Sequence, residues 1–435
     1  MLHRIHGSVR LRDHKHAASR QEITTPERAP KYVILPAQQQ GAAPCEPVVS
    51  PGEHVLLGQM IARPVGPEGL PVHASVSGTV SSIEPHIQPN GTMALSFLLE
   101  NDFQNTPAPA LERKADPENL TGWEIAALAV QAGIPGAPAL KAAAGQADTL
   151  IVDATEDEPY LAAVHRLLLE NGEQVLRGTG FLMRALALQK AVIAVAANKL
   201  DAADHLRALL PRDSGIRVAV LRTRYPQSAP VHLIRAVTGR RLPPGGSPAD
   251  ARCAVLTAAD AAALCDAVVD GLPLTQRVIT VSGGALRESR NLRVPIGTPL
   301  SCLPAECGGL IGEPVRILAG GPMTGIAQRD LDAPVLKGTR ALLLLTRSEC
   351  APTADKAGTC IRCGRCVKVC PMGLTPFLLD QYRRKGRLDR LKALQIAQCA
   401  ECGCCSYVCP AHIPLLHSIR GAKAALDAAR KEAEA

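Results

Sequence analysis

Aromatic residues are nearly missing. Four Phe, five Tyr and one Trp make 2% of 435 residues. The cores must therefore be filled by Ala, Val, Leu and Ile, and no aromatic platform accompanies the basic residues, so nucleic acid is not an expected partner. Long apolar runs are missing as well. The most apolar stretch, Ala341 to Leu345, falls far short of the roughly 20 residues that cross a bilayer. The N-terminal MLHRIHGSVRLRDHKH has no apolar segment of the secretory kind. A secreted disulfide framework is also disfavoured: the 15 cysteines are odd in number and nine fall between Cys360 and Cys409. The expectation is a chain in a reducing compartment, either soluble or held at a membrane by other proteins.

What is present is ample for several domains, with 46% hydrophobic and 20% charged residues. The net charge of +8 is localised: from Lys356 onward there are 14 Lys/Arg and 6 Asp/Glu, while the rest carries 34 of each sign. The basic excess therefore belongs to the cysteine-rich segment. Two readings stand: compensation of anionic metal–thiolate groups, or a docking face for an acidic redox partner or an anionic surface.

Along the chain, residues 1–30 are polar and His-rich (His3, His6, His14, His16) and read as a flexible, solvated tail. Residues 31–105 contain short alternating runs broken by Gly and Pro, SPGEHVLLGQMIARP and PVHASVSGTVSSIEP, expected as hairpins. They resemble the barrel-sandwich fold of biotinyl and lipoyl carriers. The stretch where a carrier presents its lysine reads His73–Ala74–Ser75–Val76–Ser77, so no swinging arm is expected. After a Pro-containing linker at 105–118, residues 119–270 alternate strands (Thr149–Ala154, Ala191–Ala197, Ile216–Leu221, Cys253–Thr257) with helices (Leu161–Glu170, Val231–Thr238, Ala258–Asp270), the pattern of a Rossmann-like parallel sheet. Residues 271–346 return to short strands, Arg277–Ser282, Asn291–Pro295 and Pro314–Leu318. Residues 347–415 hold the cysteine motifs, and 416–435 close the chain with a helix expected over Ala422–Glu434.

The cysteine pattern is the most specific signal. Cys360-x2-Cys363-x2-Cys366-x3-Cys370-Pro371 is repeated as Cys399-x2-Cys402-x2-Cys405-x3-Cys409-Pro410. Two-residue gaps let a tight loop set three thiolates around one iron cubane. In two-cluster ferredoxin-type folds the fourth cysteine of each run serves the other cluster. The expected ligand sets of the two [4Fe–4S] clusters are thus Cys360, Cys363, Cys366 and Cys409, and Cys399, Cys402, Cys405 and Cys370. Paired CxxC motifs also build zinc sites, but zinc requires neither the third cysteine at the same spacing nor the closing Cys-Pro. Gly364 and Gly403 follow the second cysteine of each run and permit unusual backbone angles. Cys404 is an extra thiol. Cys45, Cys253, Cys265, Cys302, Cys307 and Cys350 are expected to be buried free thiols.

The order of modules, with PVHASVSGTV, VVDGLPLTQRVITVSGG, VPIGTP, AGGPMTG, DLDAPVLKGT and both cysteine runs, resembles the RnfC family, iron–sulfur subunits of ion-translocating ferredoxin:NAD oxidoreductases. That resemblance implies a β-grasp (SLBB) module at 271–346 and an α/β domain shared with the NADH-binding flavoprotein subunit of respiratory complex I, where it binds FMN. It implies a peripheral place on the cytoplasmic face of the bacterial inner membrane, membrane-embedded and ferredoxin-like subunits as partners, and NADH or ferredoxin as exchange partners.

The chain departs from the family at the flavin site. The family's Gly-x-Gly-Gly-Ala-type loop reads AGIPGAPALKAAAG (Ala132–Gly145), and its Asn-Ala-Ala-Glu-Cys-Glu-Pro-Tyr segment reads DATEDEPY (Asp153–Tyr160). Two alternatives stay open: a scaffold without flavin, or FMN held by rearranged contacts. Glu156 and Glu158 are the candidate residues facing a flavin or NADH. A soluble FMN-dependent NADH dehydrogenase of the cobalamin reductase kind is the rival function.

Overall fold

The computed structural model describes residues 5, 7–39, 44–66, 69–112, 115–243, 245–350 and 358–434, with side chains to residue 430. The N-terminal arm carries a short helix α1 (His16–Ser19) and strand β1 (Ile23–Thr24). It is not a solvated tail. Lys15 is buried and its Nζ donates to the carbonyls of Glu156 (2.5 Å) and Leu161 (2.6 Å). Ile23 and Thr24 pair in parallel with Asn291 and Leu292. His14 stacks on Tyr160 with ring centroids 5.0 Å apart. The arm's polarity misled the sequence reading, because its polar groups satisfy buried backbone rather than water. His3 lies outside the described residues, as does His6.

The barrel-sandwich module sets a sheet of β2 (Tyr32–Pro36), β4 (His54–Val55), β7 (Gly78–Ile87) and β8 (Met93–Asn101) against one of β3 (Cys45–Pro47), β5 (Met60–Pro64) and β6 (Val72–His73). Alternating Val33, Leu35, Val80, Phe97 and Leu99 point inward, as a two-residue period requires. Residues His73 to Ser77 are buried, and Ser75 donates to the carbonyl of Ile296 at 2.5 Å. The place of a carrier's lysine is thus a contact between modules.

The α/β domain follows with α2 (Gly122–Gln131), α3 (Ala137–Ala143), β9 (Thr149–Ala154), α4 (Ala163–Glu170), α5 (Gly172–Ala185), β10 (Ala191–Ala196), α6 (Leu200–Leu209), β11 (Ile216–Leu221), α7 (Pro230–Thr238), β12 (Cys253–Thr257) and α8 (Ala258–Val269). Its four strands are all parallel, in the order β11-β10-β9-β12. Every residue of β10 is buried, as expected of a strand covered by helices on both faces. The chain leaves β9 toward β10 on one side and returns to β12 on the other. This makes the carboxyl ends of β9 and β12 a topological switch point, the usual ligand crevice of such sheets. Helix α8 starts at a capping box of Thr257 and Asp260. With aromatics scarce, small residues bring the helices close: a methyl group on Gly178 of α5 would meet the carbonyl oxygen of Ala261 on α8 at 1.8 Å.

The third module is a mixed six-stranded sheet containing β13 (Gln276–Ser282), β14 (Arg290–Pro295), β15 (Arg316–Ala319), β16 (Ile326–Ala327) and β17 (Ala341–Leu345), with helix α9 (Leu303–Glu306) at its side. Its order β1-β14-β13-β17-β15-β16 recruits the N-terminal arm as an edge strand. The apolar run Ala341–Leu345 is fully buried within it.

The last module repeats its own plan. Gly364 (φ +72°) opens the one-turn helix α10 (Arg365–Lys368), followed by α11 (Pro376–Arg384) and α12 (Leu388–Ala393). Gly403 (φ +76°) opens α13 (Cys404–Tyr407), followed by α14 (Leu415–Glu434). Both glycines sit in the left-handed region that other side chains avoid. Helix α14 begins seven residues before the expected start, and Gly421, which reads as a breaker, lies inside it against the Arg383 guanidinium. No described helix is long and apolar enough to cross a membrane.

Candidate iron–sulfur centre

The eight motif cysteines gather around two hollows of similar size, about 380 and 350 Å³. Cys360, Cys363, Cys366 and Cys409 line the first. Cys370, Cys399, Cys402 and Cys405 line the second, with Cys404 beside them. Each hollow thus receives three thiols from one run and the last cysteine of the other. The remaining walls are mainly apolar, including Phe377, Ile413 and Leu415 around the first and Leu374, Leu416 and Ile419 around the second. A zinc ion needs sulfurs about 2.3 Å from one centre. Among the described residues no three His, Cys, Asp or Glu side chains stand close enough to chelate a single ion. Thiols spread around a hollow suit a cubane instead.

Local structure aims hydrogen bonds at the sulfurs. The amide of Leu374 donates to Cys370 Sγ at 3.3 Å and that of Glu401 to Cys399 Sγ at 3.4 Å. Burial pushes the thiols of Cys366, Cys370 and Cys399 up, and that of Cys405 to about 12, so a bound cation would be needed to hold them as thiolates at neutral pH.

The two hollows differ in surroundings. Cys360 and Cys363 are exposed, and Ile361 between them is 67% exposed. The second hollow faces the α/β domain. Tyr225 donates its hydroxyl to the carbonyl of Cys402 at 2.6 Å. Cys404, which is fully buried, directs its thiol toward the carbonyl of Tyr225 at 3.8 Å. Cys404 is therefore a packing residue, clustered with Val9 and Tyr225. Lys423 donates to the carbonyl of Cys399 (2.8 Å) and pairs with Glu401, which also meets Arg420. Of the other six cysteines, four are buried as expected; Cys302 is exposed and Cys350 half-buried, because both sit near the edges of the third module.

A separate crevice, about 920 Å³ and open to solvent, lies at the switch point. Asp153 and Thr257 reach it from β9 and β12. Glu156 is at its rim, but its carboxylate accepts from the amides of Val164 (2.7 Å) and His165 (3.2 Å) and so caps α4. Glu158 does not line it. Its carboxylate instead accepts from the amide of Met323 at 2.9 Å and from the amide and hydroxyl of Thr324. The structure thus separates the two acidic candidates and assigns both to holding loops. The segment Ala132–Gly145 is spent inward as well: Lys337 Nζ donates to the carbonyl of Gly133 at 2.9 Å, and the Gly136 amide donates to Asp260 at 3.2 Å. Of that segment, the Gly136 amide is therefore already engaged within the protein. What the crevice does offer is space and three arginines, Arg277, Arg293 and Arg340, which fit a phosphorylated ligand by other means. Sequence reasoning missed these arginines because they belong to a different module from the parallel sheet.

Fold and centre together define an iron–sulfur electron-transfer protein built on a flavoprotein-type α/β scaffold. Four family models match in the order of the modules: the RnfC barrel sandwich hybrid domain over residues 3–104, the Nuo51 FMN-binding domain over 129–266, the SLBB domain over 278–327 and the 4Fe-4S dicluster domain over 359–413. The chain is 36% identical to a component of the Na(+)-translocating ferredoxin:NAD(+) oxidoreductase complex of Acetobacterium woodii, over 93% of each chain. It is 39% identical to a component of the ion-translocating oxidoreductase complex of Rhodobacter capsulatus, over 97% of this chain and 83% of that one. The NAD+-reducing [NiFe]-hydrogenase in the H2-reduced state superposes with a TM-score of 0.50 at 15% identity, covering 71% of this chain and 61% of that chain, a likeness of fold. The chain belongs to the RnfC family. It carries a dicluster domain for two [4Fe–4S] clusters, and its α/β domain is of the FMN-binding type.

Proposed function

We propose that this chain is the electron-transfer subunit of a membrane-bound Rnf-type complex that couples electron flow between NADH and ferredoxin to ion translocation. The two clusters act as its wire. One observation carries the reading: each hollow is lined by three cysteines of one run and one of the other. Cluster one is then held by Cys360, Cys363, Cys366 and Cys409, and cluster two by Cys399, Cys402, Cys405 and Cys370. The interlocking keeps the clusters near each other, so an electron can pass between them without solvent.

The surroundings give the wire a direction in space. Cluster two abuts the α/β domain through Tyr225 and Cys402. Cluster one faces outward beside Ile361, with exposed Arg362, Arg365 and Lys368 around it. A basic rim about an exposed cluster suits an acidic redox partner, such as a ferredoxin-like subunit. Membrane-embedded subunits would hold the chain on the cytoplasmic face of the inner membrane. The relatives from ion-translocating complexes support this reading over a free-standing flavin-dependent NADH dehydrogenase.

The test is anaerobic purification with iron and sulfide determination and electron paramagnetic resonance after reduction by a low-potential donor. About eight irons per chain and two interacting cubane signals are expected. Zinc in place of iron, or clusters that no donor reduces, would refute the proposal.

A further inference from the structure

The basic excess of the cysteine module is gathered on two of its helices. Between residues 380 and 392 there are six Lys/Arg and two Asp, a local net charge of +4. Arg383 and Arg384 end α11, Lys385 and Arg387 flank the turn at Gly386 (φ +65°), and Arg390 and Lys392 stand on α12. All six are exposed. A methyl group on Gly386 would meet nothing within 4 Å, so the turn stands clear of the rest of the chain. The apolar residues of the same stretch point the other way: Leu379 and Leu391 are buried in the core of the module. The helix pair thus turns one apolar side inward and one cationic side to solvent.

Protein acids answer only part of this charge. Asp380 is buried and engages Arg384 at 3.0 Å. Asp389 pairs with Arg387 at 2.8 Å and stands 3.8 Å from Arg390. Among the described residues Arg383, Lys385 and Lys392 have no carboxylate within ion-pair distance. None of the six cations lines either cysteine hollow, so the patch does not balance metal–thiolate charge by contact. The counter-charge must come from outside. A protein partner would need anchors, since interfaces are centred on aromatic, large apolar and Arg side chains and are poor in Lys. From 383 to 393 no aromatic or large apolar side chain is exposed: Leu388 is half-buried and Leu391 buried. An anionic leaflet needs no such anchor. Clusters of about four to eight Lys/Arg on an amphipathic helix suffice to gather its mobile headgroups.

We infer that the cationic side of α11 and α12 binds the headgroups of anionic phospholipids, so that this chain touches a membrane surface directly. The contact is electrostatic and superficial, in keeping with the lack of any described helix long and apolar enough to cross a bilayer. It uses residues distinct from Arg362, Arg365 and Lys368 beside cluster one, which leaves that rim to a redox partner. The inference rests on the reading of this chain as a subunit of a membrane-bound complex and adds a lipid contact of its own.

The test is co-sedimentation of the full, cluster-loaded chain, kept anaerobic, with phosphatidylcholine vesicles and with the same vesicles containing phosphatidylglycerol. The chain should pellet with the phosphatidylglycerol vesicles alone. It should be released as salt rises from about 0.1 M to about 1 M, where the screening length falls from about 10 Å to about 3 Å. Lys385→Gln and Lys392→Gln should each lower binding about fivefold, and the double variant about twentyfold or more. Both positions are exposed, so the variants should fold. Lys141→Gln removes the same charge from an exposed position on α3 and should leave binding unchanged. Equal pelleting with both vesicle types, or a loss with Lys141→Gln as large as with Lys385→Gln, would overturn the inference. So would no pelleting at all, which would turn this face over to an acidic protein. Iron content and the resonance signals of the same samples report the wire separately, so failure of the lipid contact is distinguishable from failure of the electron-transfer reading.

Discussion

Tyr225 and Cys402, 177 residues apart, are joined by a 2.6 Å hydrogen bond from the tyrosine hydroxyl to the cysteine carbonyl. The bond lies in a seam where Val9, Tyr225 and Cys404 pack together and where Val9 and Tyr225 exchange backbone hydrogen bonds of 2.8 and 3.0 Å. It fixes the second cysteine loop to the α/β domain. Burial pushes the Tyr225 hydroxyl far up, so it stays a donor at any working pH. Tyr225→Phe leaves the Cys402 carbonyl without this donor and should cost about 1–3 kcal/mol locally. The expected result is earlier loss of visible cluster absorbance on heating, with unchanged iron content at low temperature.

Removing single thiols should sort ligands from bystanders. Cys363→Ala and Cys402→Ala should each lower iron from about eight to about four per chain. Cys404→Ala should keep both clusters, since its thiol points at Tyr225. Cys302→Ala, an exposed position, should change neither iron nor the resonance spectrum. Loss of a cluster on removing Cys404 would show that the ligand sets are wrongly drawn.

Gly178 tests how tightly the aromatic-poor core is closed. An alanine methyl there would stand 1.8 Å from the Ala261 carbonyl oxygen, a backbone atom that a rotamer change cannot move. Gly178→Ala should push α5 and α8 apart and destabilise the α/β domain by about 1–3 kcal/mol. Gly180, two residues on, has open space where its methyl would go, so Gly180→Ala should be neutral or slightly stabilising. Chemical denaturation followed by far-ultraviolet dichroism reads the difference.

His73 predicts a pH dependence. Burial, reinforced by the Lys337 ammonium, pulls its pKa from 6.5 down to about 3. In the folded chain it stays neutral where the unfolded chain takes up a proton. The unfolded state then binds more protons between about pH 6.5 and 3, so stability falls as pH falls through that window, by up to about 1.4 kcal/mol per unit. Above pH 6.5 the effect vanishes. His73→Gln should flatten this acid slope while leaving the neutral-pH midpoint comparatively unchanged, as measured by urea denaturation at pH 7 and 5.5. An equal slope in both proteins would mean that His73 is not held neutral.

Much of this was legible in the chain itself. The strands Ile216–Leu221 and Cys253–Thr257 fall where their apolar runs place them, because a mostly buried strand of a parallel sheet announces itself by composition. The helices α2, α3, α5 and α6 went unread: α5 contains three glycines, and α3 lies in a segment expected to be a loop. The N-terminal arm was misjudged for a related reason. Local polarity says nothing about whether Lys15 will find carbonyls 141 and 146 residues away.

The sequence by itself determined the iron chemistry. Ligand spacing within an eleven-residue run is a local property, and two matching runs leave little freedom in how eight thiols can be shared. Only the tertiary structure decided which centre turns outward, which acids are consumed as caps, and that three arginines from one module share a crevice with Ala163 and Ala259 of another. Those relationships join residues as far apart as 163 and 340, and they arise from how the sheets and helices pack, which no short stretch of chain encodes.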